Sequence, residues 1–139
     1  MAFTGSSGQV YATVGGTARK ISANAGGTLA NGASANAFPT SDGSLVFFDS
    51  RATNLLSGSD GNGATGDIFV KNLGNDSVTL ISRDPNGGPA DGPSAAPSAS
   101  ADGQTIVFHT LATNIVPSGT TPPAAFSQNF DGVTPPALP

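Results

Sequence analysis

Two places in this 139-residue chain carry side chains whose types and spacing could do chemistry. The first is Asp60-x-Asn62-Gly63 followed by Asp67, three oxygen-bearing side chains in a glycine-rich loop. Ca²⁺ takes oxygen ligands from tight loops of this kind, so Asp60, Asn62 and Asp67 are candidate ligands. The spacing is not that of an EF-hand, which needs an acidic fifth position and Glu at the twelfth. The competing reading is a solvated turn whose Asp and Asn side chains bond nearby amides, with Asp67 marking the start of a strand. The second place is His109, the one histidine. Nucleophilic catalysis needs an imidazole beside a hydroxyl and an orienting carboxylate. The segment around His109 occurs twice, however, and the other occurrence has Asp49 at this place. His109 therefore reads as a surface or strand-end residue, and the chain as a non-enzyme with no catalytic residue.

The elements that must position these residues come as a repeat. Residues 38–56, FPTSDGSLVFFDSRATNLL, match residues 98–116, SASADGQTIVFHTLATNIV, without a gap. Asp42 and Asp102 stand 60 positions apart, as do Asn54 and Asn114. A fixed long period is the mark of a repeat architecture. Asp42-Gly43 and Asp102-Gly103 read as tight hairpin turns, because such turns need positive φ and Gly adopts it freely. Asn54 and Asn114 read as loop residues that hold backbone through side-chain hydrogen bonds. The glycine pairs Gly15-Gly16, Gly26-Gly27 and Gly87-Gly88 lack the Lys and Ser/Thr ending of a phosphate-binding loop.

Residues 1–8 are small and polar and read as a lead-in. QVYATV and ARKIS, flanking Gly15-Gly16-Thr17, predict a hairpin. The Gly/Asn-rich loop 23–33 follows, then a strand over 34–40 that ends in Phe-Pro. LVFF (45–48) is continuously apolar rather than alternating, which is how a strand covered on both faces reads. DIFVKN (67–72) and VTLIS (78–82) complete four antiparallel strands in a 60-residue cycle. The cycle then restarts with 94–100 and TIVF (105–108). Val10-Tyr11-Ala12 corresponds to Ile68-Phe69-Val70, and Lys20-Ile21-Ser22 to Leu80-Ile81-Ser82, so the first hairpin is the second half of an earlier cycle. The expected division is a half unit over 9–33, a full unit over 34–82 and a half unit over 94–110, within a repeat region 9–119. After Gly119 the apolar pattern stops, and 120–139 reads as a Pro-rich tail. Arg51, Lys71 and Arg83 are isolated and read as solvated.

Composition bounds the function. Leu, Ile, Val and Phe make about a fifth of the chain, so little apolar surface is available to offset backbone ordering. The chain is expected to borrow buried surface from neighbouring repeats or subunits. Nine acidic residues against five basic ones, with no basic cluster, argue against nucleic acid and anionic membrane surfaces. There is no cysteine, hence no disulfide or thiolate chemistry. The first ten residues do not read as a signal peptide, and no apolar run approaches membrane-helix length.

The combination of Pro97–Gly103, Ile106–Phe108, Ala112–Val116, Asp60–Gly63 and Asp67–Val70 resembles the TolB-type β-propeller repeat over residues 9–119. That resemblance implies radially arranged four-stranded blades, each sandwiched between two neighbours. The absence of Trp argues against WD-repeat relatives. Residues Phe126–Pro139 resemble the opening of adhesin-type jelly-roll modules of secreted bacterial proteins, which implies an extracellular, cell-surface or periplasmic parent protein. The expectation is thus an all-β, partial propeller acting as a non-catalytic binding or scaffold module, with no cofactor beyond the weak Ca²⁺ candidate. Two alternatives stay open: a homo-oligomer in which two-stranded ends pair across subunits to complete a ring, and an accessory segment of a hydrolase.

Overall fold

The computed structural model describes residues 2–5, 7–58, 63–115 and 124–129. Ten strands and no helix are found among them. They are β1 (Ala2–Thr4), β2 (Val10–Val14), β3 (Thr17–Lys20), β4 (Ser34–Pro39), β5 (Leu45–Ser50), β6 (Asp67–Asn72), β7 (Val78–Leu80), β8 (Ser94–Ala99), β9 (Thr105–Thr110) and β10 (Ala124–Asn129). They form three antiparallel sheets: an N-terminal β1-β2-β3, a middle β4-β5-β6-β7 and a C-terminal β8-β9-β10.

The middle sheet separates two cores. Successive residues of a strand point to opposite faces, and β5 and β6 are apolar on both. Phe47, Ile68 and Val70 face one cluster with Ile106, Phe108, Ala112 and Ile115 from the C-terminal region. Val46, Phe48, Phe69 and Leu80 face the other, with Val10, Ala12, Ile21 and Leu55. Phe47 and Phe48, adjacent in sequence, are both fully buried, one in each core. The continuous LVFF run is explained by this double covering. Phe48 and Phe69 stack across the strand pair with ring centroids 5.9 Å apart.

The repeat is carried into hydrogen bonding. Ser22 Oγ accepts the Val10 amide and donates to Gln9 Oε1, while Ser82 Oγ accepts the Ile68 amide and donates to Asp67 Oδ1. The register of β4 on β5 shifts between Ala35 and Phe38, and that of β8 on β9 between Ala95 and Ser98. Asn36 and Ala96, at matching places in the two bulges, both have left-handed backbones, with φ of 52° and 57°. Gly32 and Gly92 also match. A Cβ on Gly32 would lie 2.7 Å from Arg51 carbonyl atoms, and one on Gly92 3.0 Å from those of Leu111. At both places the Gly/Asn-rich loop lies against the backbone that leaves the second strand of the cycle.

Two elements differ from the sequence-based expectation. Within the lead-in, Ala2–Thr4 forms β1 and pairs with β2. Beyond Gly119, Ala124–Asn129 forms β10 and pairs with all six residues of β9, in the register that β6 takes on β5. The end sheets are therefore three-stranded, where the pattern predicted two-stranded halves. The physical reason is that strand pairing uses backbone N–H and C=O groups, which any non-proline residue supplies. An open sheet edge recruits a segment whose side chains carry little strand signal.

Candidate functional site

The two Asp-Gly turns are built alike. Asp42 Oδ1 accepts hydrogen bonds from the Ser44 amide, the Ser44 hydroxyl and the Thr40 hydroxyl, at 2.8–2.9 Å. Asp102 Oδ1 accepts the Ser100 hydroxyl at 2.6 Å and the Gln104 amide at 2.9 Å. Gly43 and Gly103 follow with positive φ. The turns also meet: Ser41 donates through its amide and its hydroxyl to the Ala101 carbonyl. These bonds hold the Asp42 carboxyl below its usual range, chiefly through the Ser44 amide, and the Asp102 carboxyl likewise, chiefly through the Ser100 hydroxyl.

At the opposite sheet ends, the two Ala-Thr-Asn segments are clasped by the Gly/Asn-rich loops. Asn54 Oδ1 accepts the Asn31 amide and its Nδ2 donates to the Leu29 carbonyl. Asn114 repeats this with the Asp91 amide and the Pro89 carbonyl. Asn31 exchanges bonds with Thr53, and Asp91 accepts the Thr113 amide and hydroxyl. The Thr113 hydroxyl is the chief reason that the Asp91 carboxyl is held below its usual range. All these side chains bond backbone and one another, so their hydrogen-bonding capacity serves the loops.

Asp60 and Asn62 lie outside the described residues. Asp67 is fully buried at the start of β6, with Ser82 on its Oδ1. It occupies the place that the neutral Gln9 holds in the preceding cycle, which identifies a strand-anchoring role. Among the described residues no group of three or more His, Cys, Asp or Glu side chains comes together.

His109 lies on the outer face of β9 with Val107 and Leu111. It borders a shallow depression of about 160 Å³ lined also by Pro93, Ser94, Ala95, Thr110 and Leu111, none of them a carboxylate. The buried Ser94 hydroxyl is committed to Thr110 Oγ1 at 2.9 Å. Among the described residues lining the depression, no carboxylate accompanies this imidazole, and the Ser94 and Thr110 hydroxyls bond each other.

Sequence reasoning missed a polar clamp between the N-terminal and middle sheets. Lys71 is not solvated but 2% exposed. Its Nζ donates to the carbonyls of Ala23, Asn24 and Asp76 at 2.9–3.3 Å. Arg19 donates to the Leu73 carbonyl and pairs with Asp76 Oδ1 at 2.6 Å. Burial pushes the Lys71 ammonium below its ordinary value, Asp76 opposes that and Arg19 adds to it. Arg83 is half-buried, and burial depresses its guanidinium as well. The one signal in the sequence is a lone Lys directly after the apolar Ile68-Phe69-Val70: its stem must cross the core edge to reach carbonyls.

Between the middle and C-terminal sheets lies a cleft of about 270 Å³. Asp49 Oδ2 spans its wall, accepting the Ala96 amide of the next sheet at 2.9 Å and Asn36 Nδ2 at 2.7 Å. A larger hollow of about 650 Å³ opens among the loops carrying Asn24, Thr28, Leu55, Ser57 and Ser77. The cleft is lined by small residues together with Asp49 and Arg51, and the hollow by small polar and apolar groups. No protein-family model matches the chain, and no curated protein matches it.

Proposed function

We propose that this chain is a non-catalytic segment of a β-propeller of the TolB-like kind, serving as a binding or scaffold module of a secreted or cell-surface bacterial protein. The observation that carries the reading is the middle sheet, four-stranded and covered on both faces by sheets built from the same 60-residue cycle. The two central strands of this sheet have no solvated face, as a blade between two neighbours requires. The Asp49–Ala96 bond and the Ser41–Ala101 turn contact support a fixed mutual pose of successive units. The loops at the sheet ends then form the surface on which ligands or partner proteins are met.

Ring completion by mating the ends of separate copies is a poorer fit, because each end sheet already holds three strands. The accessory-hydrolase alternative draws no support from the surroundings of His109. The test is the structure of the reading frame extended on both sides. A closed ring of four-stranded sheets is the expected result. A flat, uncurved stack, or hydrolase activity of this chain lost on His109→Ala, overturns the reading.

A further inference from the structure

The cleft between the middle and C-terminal sheets has a half-built counterpart. One wall of the closed cleft comes from Ala33, Ala35, Asp49 and Arg51, and it is covered by Pro93, Ser94 and Ala95 of the next sheet. Moved on by one cycle, that wall becomes Pro93, Ala95, His109 and Leu111, which line the open depression on the C-terminal sheet. Val107 takes the place of Phe47. Phe47 is fully buried under the C-terminal sheet, whereas Val107 is 41% and Leu111 52% exposed. The repeat thus states what covers this kind of face: a Pro-Ser-Ala strand entry followed by a left-handed residue whose amide meets the side chain at position 49.

We infer that the outer face of the C-terminal sheet, centred on Val107, His109 and Leu111, is a docking surface for the first hairpin of a further 60-residue repeat. The inference rests on the repeat reading above and names the partner of one face. His109 replaces the carboxylate of Asp49, so the incoming amide meets an imidazole. A neutral imidazole accepts this hydrogen bond less strongly than a carboxylate does. The junction is therefore weaker than the internal one, and His109→Asp strengthens it.

The test inserts a second copy of residues 56–115 between Ile115 and Val116 of the full chain, which places a new hairpin after a completed C-terminal sheet. The chain has no native cysteine, so single thiols report burial by their alkylation rate. Val107→Cys is expected to react at least tenfold more slowly in the extended chain than in the parent. His109→Asp is expected to slow it by roughly a further tenfold. Val14→Cys, at an exposed position of the N-terminal sheet, is expected to react equally fast in both chains. Val70→Cys, in the core, is expected to be protected in both. Equal Val107→Cys rates in the two chains overturn the inference. So does protection in the parent that grows with protein concentration, which identifies a second copy as the occupant. Loss of Val70→Cys protection in the extended chain also overturns it, because the added repeat then disrupts instead of covering. An uncurved stack still protects Val107→Cys, so failure of the ring and failure of this face are read separately.

Discussion

Replacing Phe47 and Phe48 one at a time by Ala tests whether the middle sheet is covered on both sides. Both rings are 0% exposed, and they enter opposite cores. Truncation of a buried Phe costs about 3–5 kcal/mol, from lost transfer energy and the cavity left behind. Phe48 also stacks on Phe69 at 5.9 Å, which adds roughly 0.5–1.5 kcal/mol. Phe48→Ala should therefore be the costlier, with both substitutions severe. Val107→Ala is the internal control: it holds the place of Phe47 in the repeat, yet it is exposed, and it should change stability by about 0.5 kcal/mol or less. Equilibrium urea denaturation followed by far-UV circular dichroism reads all three. A domain is stable by only about 5–15 kcal/mol, so Phe→Leu at each position provides a milder pair, each costing roughly 1 kcal/mol. If Phe47 tolerates truncation for under about 1 kcal/mol while Phe48 does not, the C-terminal sheet does not cover the middle one and the stacking argument fails.

Three further outcomes follow from the same contacts. Gly32→Ala should destabilise by about 2–3 kcal/mol and Gly92→Ala by less, since overpacking scales with the 2.7 Å against 3.0 Å approach to backbone; a reversed order in thermal or urea unfolding speaks against it. Lys71→Met removes the ammonium donor from three carbonyls, of which that of Asn24 keeps the Gly27 amide, and should cost about 1–3 kcal/mol; a neutral or stabilised variant shows that the clamp contributes nothing net. Asp42, Asp91 and Asp102 all have folded-state pKa values below their unfolded ones. Their stabilising contribution is therefore fully present above the unfolded pKa of about 4 and is lost as pH falls through the folded values. Acid titration of stability should show this decline below about pH 5. It should be shallower in Asp91→Asn, which copies Asn31 in the matching loop; an unchanged slope counts against the assignment.

Much of the architecture is written in local sequence. The LVFF run implied a strand buried on both faces, and the alternation of Phe47 and Phe48 between two cores is its direct expression. The Asp-Gly pairs carried their turn chemistry with them, because the carboxylate acceptor and the amide donors lie within four residues. The ungapped spacing of 60 residues fixed which positions are equivalent before any contact was known. Other features depend on partners distant in the chain. Strands β1 and β10 exist because an open edge offers backbone groups to be paired, and their sequences, AFT and AAFSQN, carry neither a continuous apolar run nor an alternation that gives warning of it. Lys71 reads as a surface charge until the loop carbonyls of Ala23 and Asn24, brought up by packing of another sheet, surround its ammonium. Position 49 is an aspartate in either view, but only the stacked sheets bring the Ala96 amide to it. Strand identity follows from side-chain periodicity, which is local; edge recruitment, inter-sheet bonds and the exposure of Val107 follow from which surfaces meet, and that is settled only when the sheets stack.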